Sequence, residues 1–473
     1  MERKNLWELY DAKQVKELES ISAQYREFLD HGKTERECID TIVSMVEAAG
    51  YTELEKAVKA GKKLKKGDKV YSVWMNKSVA IYQLGDKPLT EGINILGAHI
   101  DSPRMDVKQN PLYEDGGFAY LDTHYYGGVK KYQWVTLPLA IHGVVVKKDG
   151  VTVEINVGEE EDDPVFFISD LLIHLAAEQM EKKASKVIEG EALDLIVGSK
   201  PLIIKEEKND KEEKPDKAKD AVKAGVLDIL KATYDIEEED FLSAELEIVP
   251  AGRAREAGFD RSMILAYGQD DRVCAFTSLK AMLDTKKTAR TMCCILVDKE
   301  EIGSVGATGM NSYFFENSLR ELMALAGEYD ELNLRRCLAH SCMLSSDVSA
   351  GFDPSYASSF EKKNAAFLGN GMVFNKFTGS RGKSGSNDAN AEYMAHIRDI
   401  FDKKGIHFQT AELGKVDVGG GGTIAYILAR YGMNVIDSGV AVLNMHAPWE
   451  ATSKADVYEA YRGYKAFVEG ACL

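Results

Sequence analysis

The chain has 473 residues, 45% of them hydrophobic, and a formal net charge of −17, an acidic balance that excludes nucleic acid as the main partner because phosphate binding needs a basic surface. That length fits two domains with a large core rather than one. Seven scattered Cys without a CxxC pair, no secretory h-region after Met1-Glu2-Arg3-Lys4, and no apolar run long enough to span a membrane together predict an acidic cytoplasmic protein with reduced thiols.

In chain order, Leu18, Ile21, Tyr25 and Leu29 mark one helical face over 15–30, and Cys38, Ile42, Met45 and Val46 mark another over 36–48. Residues 70–74 and 78–82 read as paired strands. The run Ile93-Asn94-Ile95-Leu96-Gly97-Ala98 reads as an apolar strand that ends on His99 and Asp101. From 107 to 248 the pattern changes to short β-like runs, such as 139–146 and 151–157 around Lys147-Lys148-Asp149-Gly150, with a helical stretch at 171–180. The stretch 205–223 is almost wholly charged and reads as solvated surface. Residues 107–248 are therefore expected to form an inserted β-rich domain that interrupts a larger one, 1–106 with 249–473.

The larger domain resumes with a strand over 262–267, ending at Asp270-Asp271, and a helix carrying Phe276, Leu279 and Leu283. The strand 292–297 ends in Asp298-Lys299-Glu300-Glu301-Ile302-Gly303-Ser304. A helix near 315–327 follows, then a run over 337–344 ending at Ser345-Ser346-Asp347, and a helix over 387–402. The run 435–445 ends at His446, and a last helix over 453–469 opens on Ser453-Lys454-Ala455-Asp456, read as a capping box. Strands alternating with helices predict an α/β sheet with flanking helices.

Taken singly, a strand-end His or Asp is more often structural than functional. Here several apolar strands end in the same way: in His99 and Asp101, Asp270, Glu300 and Glu301, Asp347, and His446. In open α/β sheets the site lies beyond the carboxyl ends of the strands, so the set is expected to converge. Two imidazoles and several carboxylates without Cys suit zinc, with cobalt or manganese as substitutes. The set is too large for one tetrahedral ion. If one Asp bridges, each of two ions receives one His and one terminal carboxylate, the layout of a two-metal hydrolytic site, and one of the adjacent Glu pair is left free as a base.

The stretches GAHIDSPR (97–104), GQDDRVCAF (268–276), DKEEIGS (298–304), SSDVSAG (345–351) and MHAPWE (445–450), in this order, resemble the aspartyl aminopeptidase-type family of dinuclear zinc aminopeptidases, bacterial branch. The resemblance covers essentially the whole chain. It implies a zinc exopeptidase-like fold, a mixed central sheet with flanking helices plus the inserted domain as an assembly module. It also implies two Zn2+ per subunit held by His99, Asp270, Glu301, Asp347 and His446, with Asp270 bridging. Asp101 would orient His99, and Glu300 would be the general base and then the acid. Lys376, near the family's substrate-side Lys, and Gly421, Gly422 and Thr423 are the implied substrate-binding residues. His174 is implied to reach the active site of a neighbouring subunit. The assembly would be a homo-oligomer, a dodecamer, acting on peptides. Acid-preferring eukaryotic members carry two His shortly after the Asp347-type ligand, where this chain has Ala350 and Asp353.

Two other readings compete. One is a two-metal hydrolase of another amide, of the N-acyl amino acid deacylase type. The other is a non-catalytic assembly protein. Gly379-Ser380-Arg381-Gly382-Lys383-Ser384 imitates a phosphate loop, but Phe377 stands where that motif needs Gly.

Overall fold

The structure, a computed structural model, describes residues 4–202 and 220–471. The charged run expected over 205–223 lies outside the described residues up to residue 219. The chain divides into two compact units, Met1–Ser102 with Arg253–Leu473, and Pro103–Gly252. These boundaries differ from 106/107 and 248/249 for a reason of pairing. Strands Arg104–Asp115 and Ala244–Pro250 are antiparallel neighbours, with Glu247 opposite Asp106, so both ends of the insertion belong to its own sheet.

Among the described residues, the larger unit holds a nine-stranded sheet. Its strands are β1 (Thr52–Glu53), β2 (Lys69–Trp74), β3 (Ser78–Gln83), β4 (Asn94–His99), β5 (Met292–Val297), β6 (Cys342–Ser346), β7 (Met372–Asn375), β8 (Phe408–Thr410) and β9 (Asn434–Gly439). Their order is β1-β2-β3-β5-β4-β6-β9-β7-β8. The middle strands β5, β4, β6 and β9 are mutually parallel, while β3 and β7 join them antiparallel, so the sheet is mixed. Parallel strands are covered on both faces, which explains their near-continuous apolar runs. In β5, Met292, Cys294 and Leu296 enter one core with the helices Ala12–His31, Glu35–Ala48, Gln269–Leu283 and Lys454–Gly470. The alternate residues Cys293, Ile295 and Val297 enter the other, with Phe314–Ala326 and Glu331–Ala339. Cys38, Cys274, Cys293, Cys294, Cys337 and Cys342 are buried free thiols, used as small apolar side chains.

A second sheet in this unit corrects the sequence reading. The strands Met263–Ala266 and Ala441–Leu443 belong to a five-stranded sheet with Glu450–Ser453, not to the large one. The run 435–445 is therefore two strands: β9 stays in the large sheet and the chain crosses to the smaller one at Val440. Continuous hydrophobicity hid the switch, because both strands are buried.

The last helix, Lys454–Gly470, has no capping box. Ser453 Oγ accepts from the Ala455 N–H, but Asp456 turns away and accepts the N–H groups of Gly369 and Gly371, each at 2.7 Å.

Among the described residues, the smaller unit contains a six-stranded sheet. Its 171–180 stretch is not the expected helix: only Ala177–Met180 is helical. Leu171, Leu172, Ile173 and Leu175 are exposed, so no apolar face is buried to hold the preceding residues in a helix.

Candidate metal centre

Strand geometry places the cluster. β4 and β5 pair in parallel with His99 opposite Val297, so His99 and the Asp298–Glu301 turn leave the sheet side by side. β6 ends beside them, and Asp347 N–H donates to Ser438 O of β9. Asp270 and His446 come from the smaller sheet, from the turns that follow Met263–Ala266 and Ala441–Leu443.

Asp270 lies between the two imidazoles. Its Oδ1 is 3.2 Å from His99 Nε2, and its Oδ2 is 3.3 Å from His446 Nε2. Glu301 Oε2 lies 3.5 Å from His446 Nε2, while Asp347 Oδ1 and Glu300 Oε2 lie 3.9 and 4.0 Å from His99 Nε2. Ligand atoms of His99, Glu300 and Asp347, and of His99, Asp270 and Glu301, form two groups in which every pair of atoms is within 4.8 Å.

Two buried carboxylates hold this arrangement. Asp101 accepts the main-chain N–H groups of Glu300 and Glu301, at 3.1 and 3.2 Å, and its carboxylate lies 3.3 Å from His99 Nδ1. It therefore fixes the ring of His99 and the adjacent Glu pair together. Glu450 accepts the N–H of Asp270 at 3.0 Å and that of His446 at 2.8 Å. His446 has φ +65°, a left-handed conformation that costs a β-unbranched residue about 1–3 kcal/mol, and Glu450 helps hold it there. The turn at Asp270 is fixed further. Ser102 Oγ donates to Asp270 O, and Arg272 Nε donates to Ile100 O. Gly268 is required before it: φ is +70°, and a Cβ there would collide with the Arg272 guanidinium.

Electrostatics test whether cations fit. Burial would raise the Asp270 carboxyl, but the imidazoles of His446 and His99 outweigh it and hold the group below the usual carboxylate range. Burial pushes Glu300 up to about 7 and Glu450 up to about 8, and it raises Glu301 and Asp347 strongly. So many carboxyls cannot ionise together in a dry site unless cations neutralise them. His99 Nε2, Asp270 Oδ1 and Glu301 Oε1 are buried without a hydrogen-bond partner, and the first two lie 3.2 Å apart. Imidazole nitrogen and carboxylate oxygen aimed at a shared centre are the donor set that divalent zinc takes. The residues fit the ion.

A cavity of about 720 Å³ opens from the cluster. Gly421, Gly422 and Thr423 line it, but Lys376 does not: its ammonium pairs with Asp388. His174 lies exposed in the smaller unit. Sequence reasoning missed two residues. Glu450 sat inside the stretch already noted at 445–450, four residues after His446, and its signal was a carboxylate at the start of a buried strand. Asp437 is a buried carboxylate within β9, lining the cavity. A charged side chain in the middle of an apolar strand was the available signal.

Residues 28–468 match the family described as aminopeptidase I zinc metalloprotease (M18). A Clostridium acetobutylicum protein named probable M18 family aminopeptidase 1 is 60% identical over 467 residues, covering 99% of this chain and 98% of its own length. The crystal structure of an M18 aminopeptidase from Thermotoga maritima superimposes with a TM-score of 0.92 at 43% identity, covering 100% of both chains. The structure titled as the S. cerevisiae mApe1 dodecamer shares the fold, with a TM-score of 0.74 at 18% identity over 94% of this chain and 96% of its own.

Proposed function

The chain belongs to the aminopeptidase I zinc metalloprotease family (M18), and from that premise we propose how its residues divide the work of an aminopeptidase. The enzyme removes N-terminal residues from peptides, and zinc is its metal. Two ions per subunit would be held by His99, Asp347 and Asp270 on one side and by His446, Glu301 and Asp270 on the other. The single observation that carries this reading is the position of Asp270, with one carboxylate oxygen facing each imidazole at 3.2 and 3.3 Å. When bound, the ions supply Lewis acidity to the scissile carbonyl and lower the pKa of the attacking water.

Glu300 lines the cavity beside the ligands without being needed as one. It takes the proton from water and later gives it to the leaving amine. Burial supports this role by raising its carboxyl to about 7, near the working range of a general base. Asp101 holds the Glu300 and Glu301 backbone and orients His99 through Nδ1. Gly421, Gly422 and Thr423 shape the substrate wall.

The reading includes assembly. The exposed apolar run Leu171, Leu172, Ile173 and Leu175 surrounds His174 and suits burial against a second copy of this chain. His174 would there donate a hydrogen bond to the oxyanion that develops on the substrate carbonyl of the neighbouring subunit. The inserted unit is the assembly module, and a dodecamer is the assembly proposed, by likeness to the fold neighbour so titled.

Peptides with free and with acetylated N-termini test the function. Hydrolysis of the free-amine series alone is the expected result. Preference for the acetylated series would favour a deacylase acting at the same centre.

A further inference from the structure

The cavity described above contains one carboxylate that the chemistry does not use. Asp437 lies in β9, 2% exposed, directly between Ser345 of β6 and Asn375 of β7 in the sheet register. Thr423 Oγ1 donates to its Oδ1 at 2.5 Å. Its Oδ2 is buried and has no hydrogen-bond partner. Of its two register neighbours, Asn375 is already engaged, while Ser345 Oγ is buried without a hydrogen-bond partner. Ser349 Oγ donates to Asn375 Oδ1, and Asn375 Nδ2 donates to Ala411 O. A buried carboxylate oxygen left in this state is costly, and a donor from a ligand would remove the cost.

The rest of the lining says which donor. One end of the cavity is the ligand cluster, Asp270, Glu300, Glu301, Asp347 and His446, and the lining also includes Asp437 and the Gly420–Thr423 loop. Among the described residues that line it there is no Lys or Arg. An N-terminal Asp or Glu side chain would therefore meet Asp437 without a compensating cation. Leu413, Tyr426 and Met445 supply apolar wall for a methylene stem. A volume of about 720 Å³ accommodates a long side chain. Burial raises the Asp437 carboxyl to about 7, and a cation beside it would restore the ionised form.

We propose that Asp437 is a specificity-determining residue that receives the ammonium or guanidinium of an N-terminal Lys or Arg, making basic residues the favoured substrates. This rests on the aminopeptidase reading and narrows its substrate class. The same carboxylate could instead meet the α-ammonium common to every substrate, and the experiment separates the two.

The test compares zinc-loaded wild type and Asp437→Asn on reporter amides of lysine and norleucine, which share a stem and differ in the ammonium. Glutamyl and leucyl reporters are run beside them. Wild type should favour lysine over norleucine by about 10-fold or more in kcat/KM, the scale of a hydrogen bond to a charged group. Asp437→Asn keeps the size and an acceptor for Thr423, and it should bring the ratio close to one. Thr423→Val, which leaves the carboxylate in place, should keep the lysine preference. Three results would overturn the assignment while leaving the aminopeptidase reading intact: norleucine cleaved as well as lysine by wild type, a lysine preference unchanged in Asp437→Asn, or an equal loss on all four reporters. The last would mark an α-ammonium anchor. Failure of wild type on every free-amine reporter would instead reject the aminopeptidase reading and this assignment with it.

Discussion

The Glu450 carboxylate accepts the main-chain N–H of Asp270 at 3.0 Å, and its second oxygen accepts that of His446 at 2.8 Å. One buried side chain thereby sets the spacing of the shared carboxylate and of an imidazole that faces it. Asp101 does the same for His99, Glu300 and Glu301. The candidate ligands come from two different sheets: Glu450 ties together the two from the smaller one, and Asp101 ties together three from the larger.

Glu450→Gln should therefore weaken metal binding more than folding. An amide offers one accepting oxygen, and its NH2 group would face a second N–H donor. Calorimetric zinc titration should show affinity falling about 10- to 100-fold, the usual effect of removing a partner that orients a ligand. Far-UV circular dichroism should be unchanged. Unaltered zinc affinity would remove Glu450 from this role.

Glu300→Gln should lower kcat by about 10²- to 10⁴-fold, the range for loss of a general acid–base, with metal content unchanged. Single-turnover assays with metal analysis of the same sample check this. A variant that loses metal but retains its rate would exchange the roles of Glu300 and Glu301.

The candidate ligands could be picked out in the sequence because each follows an apolar strand, and buried parallel strands print as continuous hydrophobic runs. His99, Glu300, Glu301 and Asp347 follow β4, β5 and β6 in that way. The sheet switch at Val440 could not be read, since both flanking strands are equally buried and periodicity carries no sheet identity. Asp456 misled for a related reason. A Ser followed by Asp three residues later fits a cap, but long-range N–H donors from Gly369 and Gly371 took the carboxylate. The roles of Asp437 and Glu450 depend on contacts with residues 14 and 180 positions away, which no local pattern encodes.

His174→Phe should reduce turnover sharply while leaving metal content and oligomer size intact. Mixed oligomers of His174→Phe and Glu300→Gln should regain part of the lost activity, because some neighbours pair an intact His174 with an intact Glu300. Verified mixed oligomers that regain nothing would exclude action between subunits, and a fully active His174→Phe would exclude His174 altogether.

Zinc titration of metal-stripped protein, followed by calorimetry and by hydrolysis of a free-amine reporter in the same samples, tests the shared position of Asp270 most directly. Wild type should bind two ions per subunit, and activity should rise from nothing as they bind. Cobalt or manganese should substitute. Asp270→Asn should weaken both binding steps together, since its carboxylate faces both imidazoles. Full activity in the stripped protein, or an Asp270→Asn variant that loses only one of two binding steps, would contradict the account.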